Sequence, residues 1–343
     1  MFSTLAFAFN AVAPLVCLIF LGFIFRRIGL FTEEFVSKGY SFCFRIALPA
    51  LLFCNVYSIE SVGKINFRSV LYTLLVVFAT FAIGVALSLL LVKDRKRRGV
   101  VTQCFFRSNC AVLGLALTES LGGVSALQCV SVLTAFSIPL FNILAVISLT
   151  VFLEGEEERE RGFSPRDLGR ILYKIVTNPL IIGVCLGLLC LVFRSFIPTN
   201  DGGEKIFLLS RELPVLYTVV ENISRIASPM MLLLLGAQFS FSAGKTMRRE
   251  IAIGVIGRVL LSPVLAFGGA YLLNYLGVIS VGSAEYASFF AIFASPVAVS
   301  SAIMAREMEN DGDLAAQLVV YTSIASGFTI FLFSVFFRAV GLI

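Results

Sequence analysis

The chain has 343 residues, 58% of them hydrophobic and 14% charged, with a formal net charge of +6 and neither His nor Trp. A soluble domain is nearer half apolar and a quarter charged, so the composition argues for a membrane protein, and the missing His removes His-based catalytic triads and His metal ligands. The basic residues lie mostly in short segments between apolar stretches, which is not a nucleic-acid-binding pattern.

Apolar stretches of about 18 or more residues read as membrane spans. In chain order they predict ten: 5–25, 35–57, 70–92, 100–121, 126–153, 178–196, 213–239, 251–276, 286–305 and 314–340. The first has no basic leader and no small-residue cleavage site, so it is read as a span rather than a cleaved signal. The eight cysteines fall almost entirely in apolar segments without a Cys-x-x-Cys and read as small packing residues. No metal and no cofactor is expected. No phosphate-binding glycine loop is present, which argues against an ATP-driven pump.

The loops alternate in charge. The first-to-second, third-to-fourth, fifth-to-sixth, seventh-to-eighth and ninth-to-tenth connections carry 16 basic residues, among them Lys93 and the run Arg95 to Arg98; the opposite side carries six. The richer side is cytoplasmic by the positive-inside rule, which leaves both termini outside the cytoplasm and predicts a multi-pass protein of the plasma membrane. The only long charged stretch, 154–177, reads as a solvated connector between residues 1–153 and 178–343. Five spans on each side of it give two halves that enter the membrane from opposite faces, an inverted repeat. The second span of each half supports this: Arg45-Ile46-Ala47-Leu48-Pro49 stands opposite Arg225-Ile226-Ala227-Ser228-Pro229.

Two segments do not suit a plain spanning helix. Phe106 to Gly123 holds Arg107, Ser108, Asn109 and three glycines, and Phe293-Ala294-Ser295-Pro296 places a residue without a backbone N–H at the matching place of the second half. Helices interrupted at mid-membrane must turn their freed backbone groups to protein or to a water-filled cavity, and paired interruptions mark a transporter's binding site. Asn109 is the leading candidate, because a buried amide both donates and accepts hydrogen bonds; helix–helix glue is its alternative role. Ser108, Ser295, Ser300 and Ser301 are candidates to line the same cavity, with Pro296 at the second break. Arg45 has no acidic neighbour on its own helix, so it either snorkels or holds an anion. Arg107 is expected to snorkel toward the cytoplasmic end of its span. Arg225 is expected to pair with Glu221 one turn away.

The run Ser108-Asn109-Cys110-Ala111-Val112-Leu113-Gly114, the opening Asn178-Pro179-Leu180-Ile181-Ile182-Gly183 of the sixth span, and Ala294-Ser295-Pro296-Val297-Ala298-Val299 followed by Ala305-Arg306-Glu307 resemble the auxin efflux carrier family, in particular its malonate-transporter-like bacterial members. The resemblance runs along essentially the whole chain. It implies an all-α fold related to bile-acid/sodium symporters, with spans one, two, six and seven as a scaffold and spans three to five and eight to ten as a moving core in which helices four and nine cross. It also implies that Asn109 and Pro296 occupy the family's crossover positions. Ser108 stands where many members have proline or a small residue, and the third span lacks the carboxylate that supports the site in plant carriers, so auxin itself is not the expected substrate. The expected function is secondary transport of a small organic anion, a carboxylate first of all, by elevator-type alternating access. A non-transporting sensor of a small metabolite and a sodium-coupled symporter are the alternatives. No nucleophile–base set is visible, so no enzyme is expected. The expected partners are the anionic substrate and the lipid bilayer, no nucleic acid, and optionally a second copy in a homodimer.

Overall fold

The computed structural model describes residues 17–57, 67–110, 114–153, 176–197, 208–239 and 246–343, with residues 14, 169, 173 and 244 standing singly. Most of the expected first span before residue 17, most of the connector 154–177, and residues 111–113 lie outside the described residues. Among the described residues the chain is helical apart from turns and one isolated β-bridge.

Prolines and N-caps divide the apolar sequence into its helices. Helix α1 covers 17–27. Helix α2, Glu33–Tyr57, starts at Thr32, whose hydroxyl accepts the Phe35 N–H at 3.2 Å. Next come α3, Phe67–Leu91, and α4, Arg95–Phe106, capped by Asp94. A short α5 over 115–122 is separated from α6, Ser125–Val151, by a kink at Gly123, where φ is 64°. The second half contains α7, Pro179–Phe196, α8, Pro214–Gln238, α9, Arg248–Tyr275, α10, Ser283–Phe289, α11, Ser300–Glu307, and α12, Gly312–Val340.

Three complete π turns among the described residues share a cause. They lie at Cys43–Ala47, Gly257–Leu261 and Phe290–Ala294, and each ends two residues before a proline: Pro49, Pro263 and Pro296. Proline supplies no N–H to the carbonyl four residues back, and its ring crowds that carbonyl. The carbonyls concerned, of Arg45, Val259 and Ile292, all fall inside the widened turns. A π turn inserts one residue and so re-aims the side chains within it.

Among the described residues, six helices are long and apolar enough to cross a membrane: α2, α3, α6, α8, α9 and α12. Large side chains on their outer faces are exposed, Phe67 at 70% and Phe328 at 66% for example. A helix apolar on its outward face as well as its inward one belongs in lipid. The chain is thus an all-helical, multi-pass membrane protein. The expected spans 100–121 and 286–305 are not continuous helices, because each is interrupted near its middle. The span 178–196 is shorter in its apolar part, Pro179–Arg194.

Helices α1, α2, α7 and α8 pack through glycines. A Cβ on Gly22 would fall 1.9 Å from the carbonyl oxygen of Leu233, and one on Gly236 would fall 1.8 Å from that of Ile19. On α7, a Cβ on Gly183 would sit 2.6 Å from the carbonyl oxygen of Pro49. Small residues of this kind let membrane helices approach backbone to backbone. Thus α1 meets α8 as α7 meets α2. The expected Glu221–Arg225 pair is present at 2.9 Å. At one end, Arg97 joins Asp311 at 2.9 Å and Glu250 at 3.3 Å, tying the starts of α4, α9 and α12 together. Asp311 also caps α12 by accepting the Leu314 N–H. The loops expected on one membrane face therefore share an end of the bundle.

Gly236→Leu should break the α1–α8 approach, because overpacking costs about 1–3 kcal/mol or more. Its melting temperature in detergent should fall by several degrees relative to wild type, whereas a substitution at exposed Gly268, whose Cβ would meet nothing, should leave it unchanged.

Candidate functional site

The site is built where α4 and α10 stop. Helix α4 ends at Phe106, and Arg107 is already extended, with φ −80° and ψ 110°. The π turn after α10 ends at Ala294, and Ser295 is extended, with φ −64° and ψ 151°. The two extended segments lie antiparallel. Asn109 donates its backbone N–H to the Pro296 carbonyl at 2.9 Å, and Ala298 donates to the Arg107 carbonyl at 3.3 Å, closing a bridge between Ser108 and Val297. Val297, facing away from that pair, donates its N–H to Thr322 Oγ1 on α12 at 3.2 Å. The Ser108 hydroxyl reaches the Ala291 carbonyl at 3.1 Å. Each break thus satisfies the other's freed backbone groups, as an apolar surrounding requires.

Two arginines complete the crossing. Arg258, carried by the π turn of α9, is fully buried. Its Nε donates to Ser295 O at 2.7 Å, its Nη2 to Ile292 O at 2.8 Å and its Nη1 to Phe105 O at 3.4 Å. It therefore joins the carbonyl ends of both broken helices, where helix dipoles leave partial negative charge. Arg107 lies on the other side of the crossing and is 4% exposed. Its Nη2 donates to Asn142 Oδ1 at 3.0 Å and to Ser300 Oγ at 2.9 Å, and its Nη1 lies 3.5 Å from Gln103 Oε1 and against Met304 Sδ. Among the described residues no carboxylate pairs with either arginine.

A cleft opens beside Arg107, between α2 and α8 on one wall and the crossing, α6 and the start of α11 on the other, with an internal volume of about 70 Å³. Ser108, Asn109 and Ser300 line it together with Arg107, Asn55, Asn142 and Ser228; the remaining lining is apolar, including Leu52, Phe141 and Met231.

Residues 7–334 of the chain match the family described as membrane transport protein. The chain belongs to that family. It is the auxin efflux carrier family that the sequence resemblance indicated. A protein of Methanothermobacter thermautotrophicus named "uncharacterized transporter" is 23% identical over 337 residues, which cover 95% of this chain and 97% of that one. The cleft is thus part of a transporter.

The transporter gathers some of the expected residues and not others. Ser108, Asn109 and Ser300 meet at the cleft. Pro296 does not line it but serves the crossing through its carbonyl. Ser295 is fully buried at Arg258, and its hydroxyl finds no hydrogen-bond partner among the described residues. Ser301 is buried behind the cleft, with its carbonyl accepting from Gln103 Nε2. Arg45 is exposed on α2, away from the cleft. The expectation that Arg107 snorkels is corrected: its helix ends at the preceding residue, so its side chain turns inward to Asn142 and Ser300 rather than along α4 to an interface. Sequence reasoning passed over Arg258 and Asn142. Both carried a signal, being isolated polar residues within apolar runs, each close to a proline (Pro263 and Pro139).

Thr322→Val keeps shape but removes the acceptor for the buried Val297 N–H. Leaving such a donor unpaired costs about 1–3 kcal/mol. The Val variant should melt several degrees below wild type, and Thr322→Ser, which keeps the hydroxyl, should stay close to it.

Proposed function

We propose that this protein is a secondary transporter of a small organic anion, with a carboxylate as its charged group. The observation that carries the reading is the guanidinium of Arg107: buried, lining the cleft, and paired only with neutral acceptors among the described residues. A buried charge without a counter-charge is costly, and an incoming anion relieves that cost. The planar fork of arginine suits a carboxylate, Asn109 can add donors, and the starts of α5 and α11 at the crossing add positive helix ends. The apolar remainder of the lining suits a small organic body.

In this reading the ten spans form two inverted halves, 1–153 and 178–343, joined by a cytoplasmic connector. Helices α1, α2, α7 and α8 form the scaffold. The interrupted helices and those around them form a core that carries the cleft across the membrane. The reciprocal packing of α1 on α8 and α7 on α2 supports the inverted repeat. The cleft's position between those helices and the crossing supports an elevator-type motion. The arginine-rich loops would face the cytoplasm and both termini would lie outside it, in the plasma membrane. Asn109, Ser108, Ser300 and Arg107 would touch substrate. Ser295 and Pro296 would hold the crossing in shape, and Arg45 would play no part in binding.

A thermal-shift panel of small carboxylates should give at least one that raises the melting temperature, since ligand binding to the folded state stabilises it. That compound should also be taken up by proteoliposomes; binding without uptake would favour a sensor instead. Arg107→Gln should abolish both responses. Asn109→Ala should weaken binding about tenfold, the equivalent of 1.4 kcal/mol, while a fall in melting temperature with unchanged affinity would leave Asn109 only a packing role.

A further inference from the structure

We propose that Arg258 is a resident cation at the helix crossing, standing where a transporter with broken helices would otherwise hold a coupling metal ion, and that this protein binds no sodium there. The inference rests on Arg258 and not on the anion reading of the Arg107 cleft. Where two membrane helices break, the unwound carbonyls and the half-helix C-terminal ends form a natural site for a small cation. Here the donor set is already in use. Phe105 O at the end of α4, and Ile292 O and Ser295 O after α10, all accept from the one guanidinium, at 3.4, 2.8 and 2.7 Å.

The way Arg258 gets there is written into α9. Pro263 forces the π turn Gly257–Leu261, and that turn aims residue 258 at the crossing. Gly257 clears the way, since a Cβ there would lie 2.4 Å from the ring of Phe105. Guanidinium keeps its proton and presents several donors in a rigid plane, so a single side chain can hold carbonyls from both halves of the chain at once. Unlike a metal ion, it cannot leave. The core keeps the same charge on either side of the membrane, and no ion need be released to reset it.

The test uses the full-length protein in detergent and needs no substrate. Wild type should melt at the same temperature in sodium chloride and in choline chloride of equal ionic strength, and should show no saturable binding of radioactive sodium. Arg258→Ala should melt lower. Because it opens a carbonyl-lined hollow, guanidinium at low-millimolar concentration, or sodium, should restore its melting temperature more than choline does. Arg258→Lys should retain much of the wild-type stability. A purely structural arginine would give a loss that no cation selectively restores, and that result would overturn the proposal. So would sodium-selective stabilisation or saturable sodium binding in wild type, which decides the matter alone if Arg258→Ala cannot be purified.

Discussion

A helix interrupted inside a membrane leaves N–H and C=O groups that lipid cannot satisfy, and each group left bare in apolar surroundings costs several kcal/mol. In this chain the two interruptions answer that constraint with each other. The Asn109 N–H goes to Pro296 O and the Ala298 N–H to Arg107 O, while Thr322 takes the Val297 N–H. The carbonyls of Phe105, Ile292 and Ser295 go to Arg258. Neither break would be tolerable alone, so the two halves of the chain need one another at this point, and the helices around the crossing are fixed by it.

The crossing also sorts charge. Arg258 stands at the carbonyl ends of the broken helices, where a cation is welcome. Arg107 stands beside the cleft, where among the described residues only amide, hydroxyl and thioether groups meet it. Both are buried arginines without an acidic partner among the described residues, yet their surroundings differ. One is satisfied by backbone oxygen drawn from three places in the chain. The other keeps a guanidinium at the wall of a mostly apolar cleft, where the proposed function has it meet a ligand's negative charge.

Much of this was legible in the sequence, for physical reasons. Polar residues and glycines in Phe106 to Gly123 contradict a lipid-facing helix, and the interruption lies there. The helix ends at 196 and 340 follow from apolar stretches and caps. The Glu221–Arg225 pair follows from helical spacing. Other features depend on which way a side chain turns after its helix stops, and spacing alone does not fix that. Helical spacing puts Arg107 along the axis of α4, but that helix ends at Phe106. Arg45 drew notice through its repeat partner, yet the π turn before Pro49 leaves it on an exposed face. Arg258 lay within an apolar run, outside the loops whose basic residues set the topology. Its cue was Pro263 five residues on, since a proline there widens the turn that carries it.

The proposed function turns on an anion held at Arg107 beside the crossing. A structure of the protein with a bound carboxylate from the thermal-shift panel tests it most directly. The carboxylate should lie within about 3 Å of the Arg107 guanidinium and in reach of the Asn109 amide, between the crossing and the wall formed by α2 and α8. A carboxylate bound elsewhere, with Arg107 still held only by Asn142, Ser300 and Gln103, would contradict it.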